Sequence, residues 1–249
     1  MNVRHPSASP GRQGLGSLLA RIPFMGTLYL VRHGQASFGA DDYDVLSPMG
    51  HQQSRRLGEY FKTKGLAFEA ALTGSLNRQV QTFAGIREGL GLEVGALPHT
   101  RWPGLNEYDS AAVIAAIAPH PLAKPDTPEL YRQYFRLLKD GLAQWMAGVV
   151  SPKGMPTYNE FVAGISQALD HVRTHHDGAV LLVSSGGPIS TAVGQVLGTS
   201  PETTIELNLR IRNSSVTEFA FTPKRHMLVT YNTLPHLDGP EHADWATYA

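Results

Sequence analysis

The sequence predicts an α/β fold: a three-layer α/β/α sandwich around a mostly parallel central sheet, with an edge hairpin and a helical insertion. Three observations carry this. The first ninety residues alternate short apolar runs with amphipathic helical stretches in the order β-α-β-α. A second strand–turn–helix pattern returns after residue 178. Two alternating segments close the chain with only a short polar link between them.

Leu28 to Val31 reads as a short buried strand with no polar alternation. Ser47-Pro48 supplies an N-cap serine and a proline for the first helical turn, and Leu57, Tyr60 and Phe61 follow at helical spacing up to a stop at Gly65. Phe68 to Thr73 is the second strand, and Ser75 to Leu90 the second helix, with Gly91 just beyond it. Residues 105–156 break the alternation. They hold a short helix over Ala111 to Ala118, the proline-rich connection PHPLAKPDTP, and a longer helix from Pro128 to Met146. This stretch reads as a helical insertion beside the site, a candidate lid.

Thr157 and Glu160 form a capping box that opens a helix running to His175. Ala179 to Val183 is a buried strand, turned by Ser184-Ser185-Gly186-Gly187-Pro188 into a helix that ends near Gly198. Ser215 to Phe221 and Met227 to Tyr231 alternate around TPKRH and read as a hairpin at the sheet edge. Residues 1–26, rich in Pro, Gly, Ser and Arg, read as a loosely attached tail, with Met25 a candidate native start. The main domain is expected over 27–237, followed by a loosely held polar tail over 238–249.

Composition narrows the function classes. Lys plus Arg is 21 and Asp plus Glu is 21, so no broad field for nucleic acid or a membrane surface is expected. No apolar run approaches the roughly 20 residues needed to span a bilayer. The absence of cysteine excludes disulfides, thiol catalysis and thiolate metal sites, and fits a cytoplasmic setting.

Ligands of open α/β sheets bind at the carboxyl ends of strands. Three strand ends here carry polar residues: Arg32, His33 and Gln35; Thr73, Ser75 and Arg78; and Ser184, Ser185 and the Gly186-Gly187 turn. Two arginines and a histidine suit a phosphoryl group, because guanidinium forks match phosphate oxygens and never lose their charge. A histidine beside two arginines should stay neutral near pH 7 and keep a lone pair for attack on phosphorus. Gly34 is expected to let the backbone approach the phosphate. No metal or other cofactor is implied. Asp41, Asp42 and Asp44 read as a solvated loop rim rather than a magnesium site. His171 and His175 are explained by a helix C-terminus more simply than by a metal. Trp102 and Tyr108 read as core packing.

These residues resemble the histidine phosphatase superfamily, which includes cofactor-dependent phosphoglycerate mutases and many phosphomonoesterases. Arg32-His33-Gly34 resembles its RHG signature. TGSLNRQVQT, residues 73–82, resembles its second arginine motif through Ser75, Arg78 and Thr82. Leu105-Asn106-Glu107 resembles its LxE motif, and LLVSSGGPI, residues 181–189, its late strand–turn–helix motif. The resemblance implies His33 as nucleophile and Glu107 as general acid. It implies a phosphate site of Arg32, Arg78, Gly34, Gln35, Ser185 and Gly186, and a small phosphorylated metabolite or phosphoester as substrate. By its surroundings alone, Glu107 is equally compatible with a surface carboxylate.

Two departures stand out. Ser185 occupies the place of a second histidine, and RHGQ replaces the commoner RHGE. A serine hydroxyl donates a hydrogen bond but brings no charge, and losing a positioned donor costs on the order of 10²- to 10³-fold in rate. The amides of Gly186 and Gly187, or His236 reaching back from the last strand, are candidates to compensate. The expectation is therefore a phosphatase working through phospho-His33. The alternatives are a phosphate-binding member with little or no turnover, and a phosphoglycerate mutase-type phosphotransferase.

Overall fold

The computed structural model describes residues 25–37, 44–118 and 127–248. Four parallel strands are β1 (Gly26–Arg32), β2 (Phe68–Thr73), β3 (His99–Arg101) and β4 (Ala179–Ser184). β5 (Val216–Thr222) and β6 (Arg225–Thr233) form the expected antiparallel hairpin. The sheet order is β3-β2-β4-β1-β5-β6. β4 thus lies between β2 and β1, and the three polar strand ends sit side by side.

Alternation along the central strands sends side chains to two separate cores, one on each face. Leu28 and Leu30 of β1, with Val180 and Leu182 of β4, join one core. It is covered by α3 (Ser110–Ala115), α4 (Pro128–Met146), α5 (Tyr158–His175), α6 (Gly186–Leu197) and α7 (Pro201–Arg210). Val31, Leu181 and Val183 face the other core, which is closed by α1 (Pro48–Thr63) and α2 (Asn77–Leu90). The three layers of the predicted sandwich follow directly.

Local signals act as read. The Ser47 side chain accepts from the Gly50 amide at the start of α1, and Thr157 and Glu160 close their capping box. Gly91 ends α2 in the left-handed conformation that glycine adopts without strain.

Several expectations need correction. β3 has no counterpart among the predicted strands. It has three exposed residues, too few to show alternation. α7 has no counterpart among the predicted helices, although Ser200-Pro201 repeats the Ser47-Pro48 start signal and the Ser200 side chain accepts from the Thr203 amide. Gly26, read as the last residue of the tail, belongs to β1. Most of the expected N-terminal tail (1–24) and of the proline-rich connection (119–126) lies outside the described residues.

The insertion is part of the core rather than a separate cover. Leu138, Leu142 and Trp145 of α4 are buried with Phe161 of α5. The segment after Leu237 is tied down, not loosely held. The Gln53 side chain donates to the Trp245 carbonyl at 2.7 Å, and the Asn213 amide donates to the Thr247 carbonyl at 2.8 Å. Among the described residues, no helix is long and apolar enough to cross a membrane.

Candidate active site

His33 stands one residue beyond the end of β1, and Ser185 one beyond β4. Arg32 and Ser184 are direct partners in the parallel register, and the His33 amide donates to the Ser184 carbonyl at 2.9 Å. The imidazole is only 3 % exposed. Its Nδ1 lies 2.7 Å from the Gly34 carbonyl oxygen. A carbonyl can only accept, so Nδ1 carries the proton and Nε2 presents its lone pair. Burial, and then the charges of Arg32 and Arg78, hold its pKa well below the usual imidazole value, against the opposing effect of the Gly34 bond. The ring is neutral at pH 7, as the sequence suggested.

Arg78, in the first turn of α2, reaches that lone pair: its Nε donates to His33 Nε2 at 3.3 Å. Its Nη1 forms a 2.7 Å ion pair with Asp44, whose other carboxylate oxygen accepts from the Asn77 amide at 2.8 Å. Asp44 is therefore not part of a solvated rim; it bridges the N-terminus of α2 and a buried guanidinium. Asp41 and Asp42 lie outside the described residues. Arg32, whose charge also acts on His33, donates from Nη1 to the carbonyls of Ile211 at 2.5 Å and Tyr248 at 2.8 Å.

Glu107 is no surface carboxylate. Both of its oxygens accept from the Gly187 amide at 3.1 Å, in the first turn of α6, and Oε1 also accepts from the Tyr108 amide. A Cβ on Gly187 would lie 2.2 Å from Glu107 Oε1, so only glycine admits the carboxyl there. Burial pushes its pKa up. The Gly187 amide, Arg78, Arg32 and the Tyr108 amide oppose this, and burial prevails. The Gly187 amide is therefore engaged by Glu107, and does not stand open to an anion as expected.

The remaining predicted residues fall in distinct places. Gly34 is required by packing: a Cβ there would meet the Gly50 carbonyl of α1 at 2.5 Å. Close approach to α1 is by itself enough to require the glycine. The Gly34 amide donates to Thr82 Oγ1 at 2.9 Å, which joins the first motif to the second. The Gln35 side-chain carbonyl accepts from Ser47 Oγ at 2.8 Å, so this residue is tied to the cap of α1. Gly186 packs toward α7, where a Cβ would meet Asn208 at 2.7 Å.

His236 is buried with its Nε2 3.0 Å from Ser214 Oγ, and the charges acting on it are Arg56 and His242. Neither Arg32 nor Arg78 is among those charges, and no bond joins His236 to the His33 side chain among the described residues. His171 and His175 stack at 4.3 Å, with Trp102 beside His171. Tyr108 packs on Trp145 and Phe161, as core packing implied.

Two site neighbours escaped the sequence reading. Asn106 binds both the amide and the hydroxyl of Ser75 at 2.7 Å, joining the second and third motifs. Gln79 is fully buried between Ser185 and Leu105. Gln79 had a signal: it shares the α2 stripe with Thr82, Phe83, Ile86 and Leu90, a polar residue on a buried face. A cleft of about 330 Å³ opens beside Glu107, between the 103–109 turn and the start of α5.

A family model described as the histidine phosphatase superfamily (branch 1) matches residues 28–234. A 2,3-bisphosphoglycerate-dependent phosphoglycerate mutase of Mesorhizobium japonicum is 36 % identical over 90 residues, 33 % of this chain and 42 % of that protein. The chain thus matches less than half the length of such curated relatives. Among solved structures, a phosphoglycerate mutase from Bacillus anthracis superposes with TM-score 0.61 at 18 % identity, over 86 % of this chain and 96 % of that one. A phosphoserine phosphatase mutant from Entamoeba histolytica, in complex with phosphoserine, gives 0.59 at 19 % identity, over 85 % and 99 %. At these identities the likeness concerns the fold.

Proposed function

Since the chain belongs to the histidine phosphatase superfamily, we propose that it hydrolyses phosphomonoesters through a phosphohistidine on His33. The observation that carries this reading is the state of His33: buried, neutral, protonated on Nδ1, with Nε2 turned to a guanidinium.

In the first step, Nε2 attacks phosphorus in line while the bond from phosphorus to the ester oxygen breaks. The leaving oxygen takes the proton of Glu107, whose raised pKa favours the acid form. Arg78 and Arg32 draw the phosphoryl oxygens and balance their charge, and the 3.3 Å contact from Arg78 Nε to His33 Nε2 is long enough to yield to a phosphate oxygen. In the second step, water gives a proton to the Glu107 carboxylate and attacks phosphorus. The P–N bond breaks, inorganic phosphate leaves, and neutral His33 is restored. The relatives' names, phosphatases of phosphorylated metabolites and mutases, support a small phosphoester as substrate.

Hydrolysis is favoured over phosphoglycerate mutase-type transfer. A mutase must shield its phosphoenzyme from water, and Ser185 brings no cation to that task. The same neutral residue supports the second reading, a member that binds phosphate with little turnover.

The deciding experiment is hydrolysis of an aryl phosphate in the presence of EDTA, beside His33→Ala. Turnover that survives EDTA and disappears in the variant is expected. No turnover in either protein, with phosphate still protecting the wild type against thermal unfolding, would establish the binding-only reading instead.

A further inference from the structure

We propose that Gln79 is a positioning residue that turns the Ser185 hydroxyl into a hydrogen-bond donor toward the phosphoryl group, a neutral dipole where the resemblance leads one to expect a cation. This rests on the hydrolase reading above and assigns a part to a residue outside it.

The direction of each hydrogen bond follows from the chemistry of the partners. Gln79 is fully buried. The Leu105 carbonyl, 3.1 Å from one end of its amide, can only accept, so that end is Nε2. The Leu76 amide, 3.3 Å from the other end, can only donate, so that end is Oε1. The amide cannot be flipped without losing both bonds. Nε2 therefore donates its other proton to Ser185 Oγ, at 2.9 Å.

Ser185 is fully buried, and its oxygen serves Gln79 as acceptor. Its own proton has no acceptor among the described residues, and its side chain does not cap α6. Its neighbour Ser184 differs: that hydroxyl donates to the Leu105 carbonyl at 2.7 Å. Of the two serines at this strand end, only Ser185 keeps a proton to give.

The place of Ser185 is set by the sheet. Ser185 follows β4 as His33 follows β1, and the two strands are parallel and in register. Two consecutive residues of α2 hold this pair: Arg78 reaches His33 and Gln79 reaches Ser185. Gly74 makes room for the arrangement, because a Cβ there would lie 1.9 Å from Gln79 Oε1. A hydroxyl whose oxygen already accepts a bond is polarised as a donor, and a buried donor fixed in place needs no reorganisation when charge builds on a phosphoryl oxygen.

The test compares wild type, Ser185→Ala, Gln79→Met and the double variant, using an aryl phosphate and orthovanadate, which takes the five-coordinate geometry of the transferring group. Each single variant should lower kcat and vanadate affinity about 10- to 100-fold, with KM changed less than about threefold. The double variant should be no worse than either single one, because both remove the same donor. Gln79→Glu gives a second reading should Gln79→Met fail to fold. Its protonated carboxyl can donate to Ser185 and its ionised form cannot, so activity should fall with rising pH earlier than in wild type. Unchanged kcat and vanadate binding in folded Gln79 variants would overturn the proposal, as would full additivity in the double variant. Loss of wild-type turnover with vanadate binding retained would overturn the hydrolase reading alone. In that case, the vanadate affinities of the variants decide this one.

Discussion

Nε of Arg78 lies 3.3 Å from Nε2 of His33, and Nη1 of the same guanidinium is 2.7 Å from Asp44. One cation thus faces the proposed nucleophile on one side and a carboxylate on the other. On the proposed function, an incoming phosphate would compete with Asp44 for the charge of Arg78.

This competition gives the first prediction. Asp44→Asn keeps an acceptor for Arg78 and removes a negative charge from the edge of the site. Inorganic phosphate should inhibit the variant at concentrations about tenfold lower, equivalent to about 1.4 kcal/mol, with the shift shrinking at high salt. Inhibition constants in low and high salt check it. An unchanged or weaker affinity would mean that Asp44 chiefly aims the guanidinium.

The second concerns pH. Glu107 must be protonated to serve a leaving alkoxide, and burial raises its pKa, so the acid form persists to higher pH than for an ordinary carboxyl. Activity on alkyl phosphates should therefore decline on the alkaline side as Glu107 ionises. His33, already neutral, should contribute no limb near pH 7. Glu107→Gln should abolish the decline and lower kcat on an alkyl phosphate by about 10²-fold or more. The loss should be much smaller on nitrophenyl phosphate, whose leaving group needs little protonation. Equal losses on the two substrates would contradict a general-acid role.

Gly187→Ala carries the third. The added methyl would occupy the position of Glu107 Oε1 and press on the Tyr108 ring. Turnover should fall to about the level of Glu107→Gln, because the carboxyl is displaced. The pair Gly187→Ala and Glu107→Gln should combine with little further loss. Pre-steady-state and steady-state assays of the two variants test this, and near wild-type activity in Gly187→Ala would show that the Glu107 position is immaterial.

A fourth prediction concerns acid stability. Burial, with Arg56 and His242 adding to it, pushes the His236 pKa down to about 3. The unfolded chain protonates this imidazole near 6.5, so its contribution is complete above about pH 6.5 and falls progressively toward pH 3. The melting temperature should drop across that window, and His236→Gln should flatten the drop by up to a few kcal/mol of acid sensitivity. Melting curves of both proteins between pH 4 and 7 give the answer. Parallel curves would assign the acid loss to other groups, such as His33 and His226, which are also held neutral by burial.

Much of the architecture was legible in local patterns. β2 runs from Phe68 to Thr73 and α4 from Pro128 to Met146, as read, because apolar spacing and a proline start are properties of a short window. β3 was not legible: three exposed residues acquire strand geometry only by pairing with β2. α7 carries a local start signal at Ser200-Pro201, the same pair type that opens α1. At the site, Arg32, His33, Arg78 and Ser185 were visible as polar residues at strand ends. Their placement together depended on the sheet order.

The sequence by itself determined the alternating elements, the caps that bound them and the polar residues at three strand ends. These are encoded in spacing along the chain. Only the tertiary structure decided who bonds to whom. Glu107 takes the Gly187 amide, Gln79 takes Ser185, Arg78 takes Asp44 and His33, and His236 takes Ser214. Each of these bonds joins residues more than twenty positions apart, and those that reach His33 and Ser185 meet because β4 lies beside β1 in the sheet. A buried polar group must find a partner, and which one it finds depends on what the packing brings within about 3 Å.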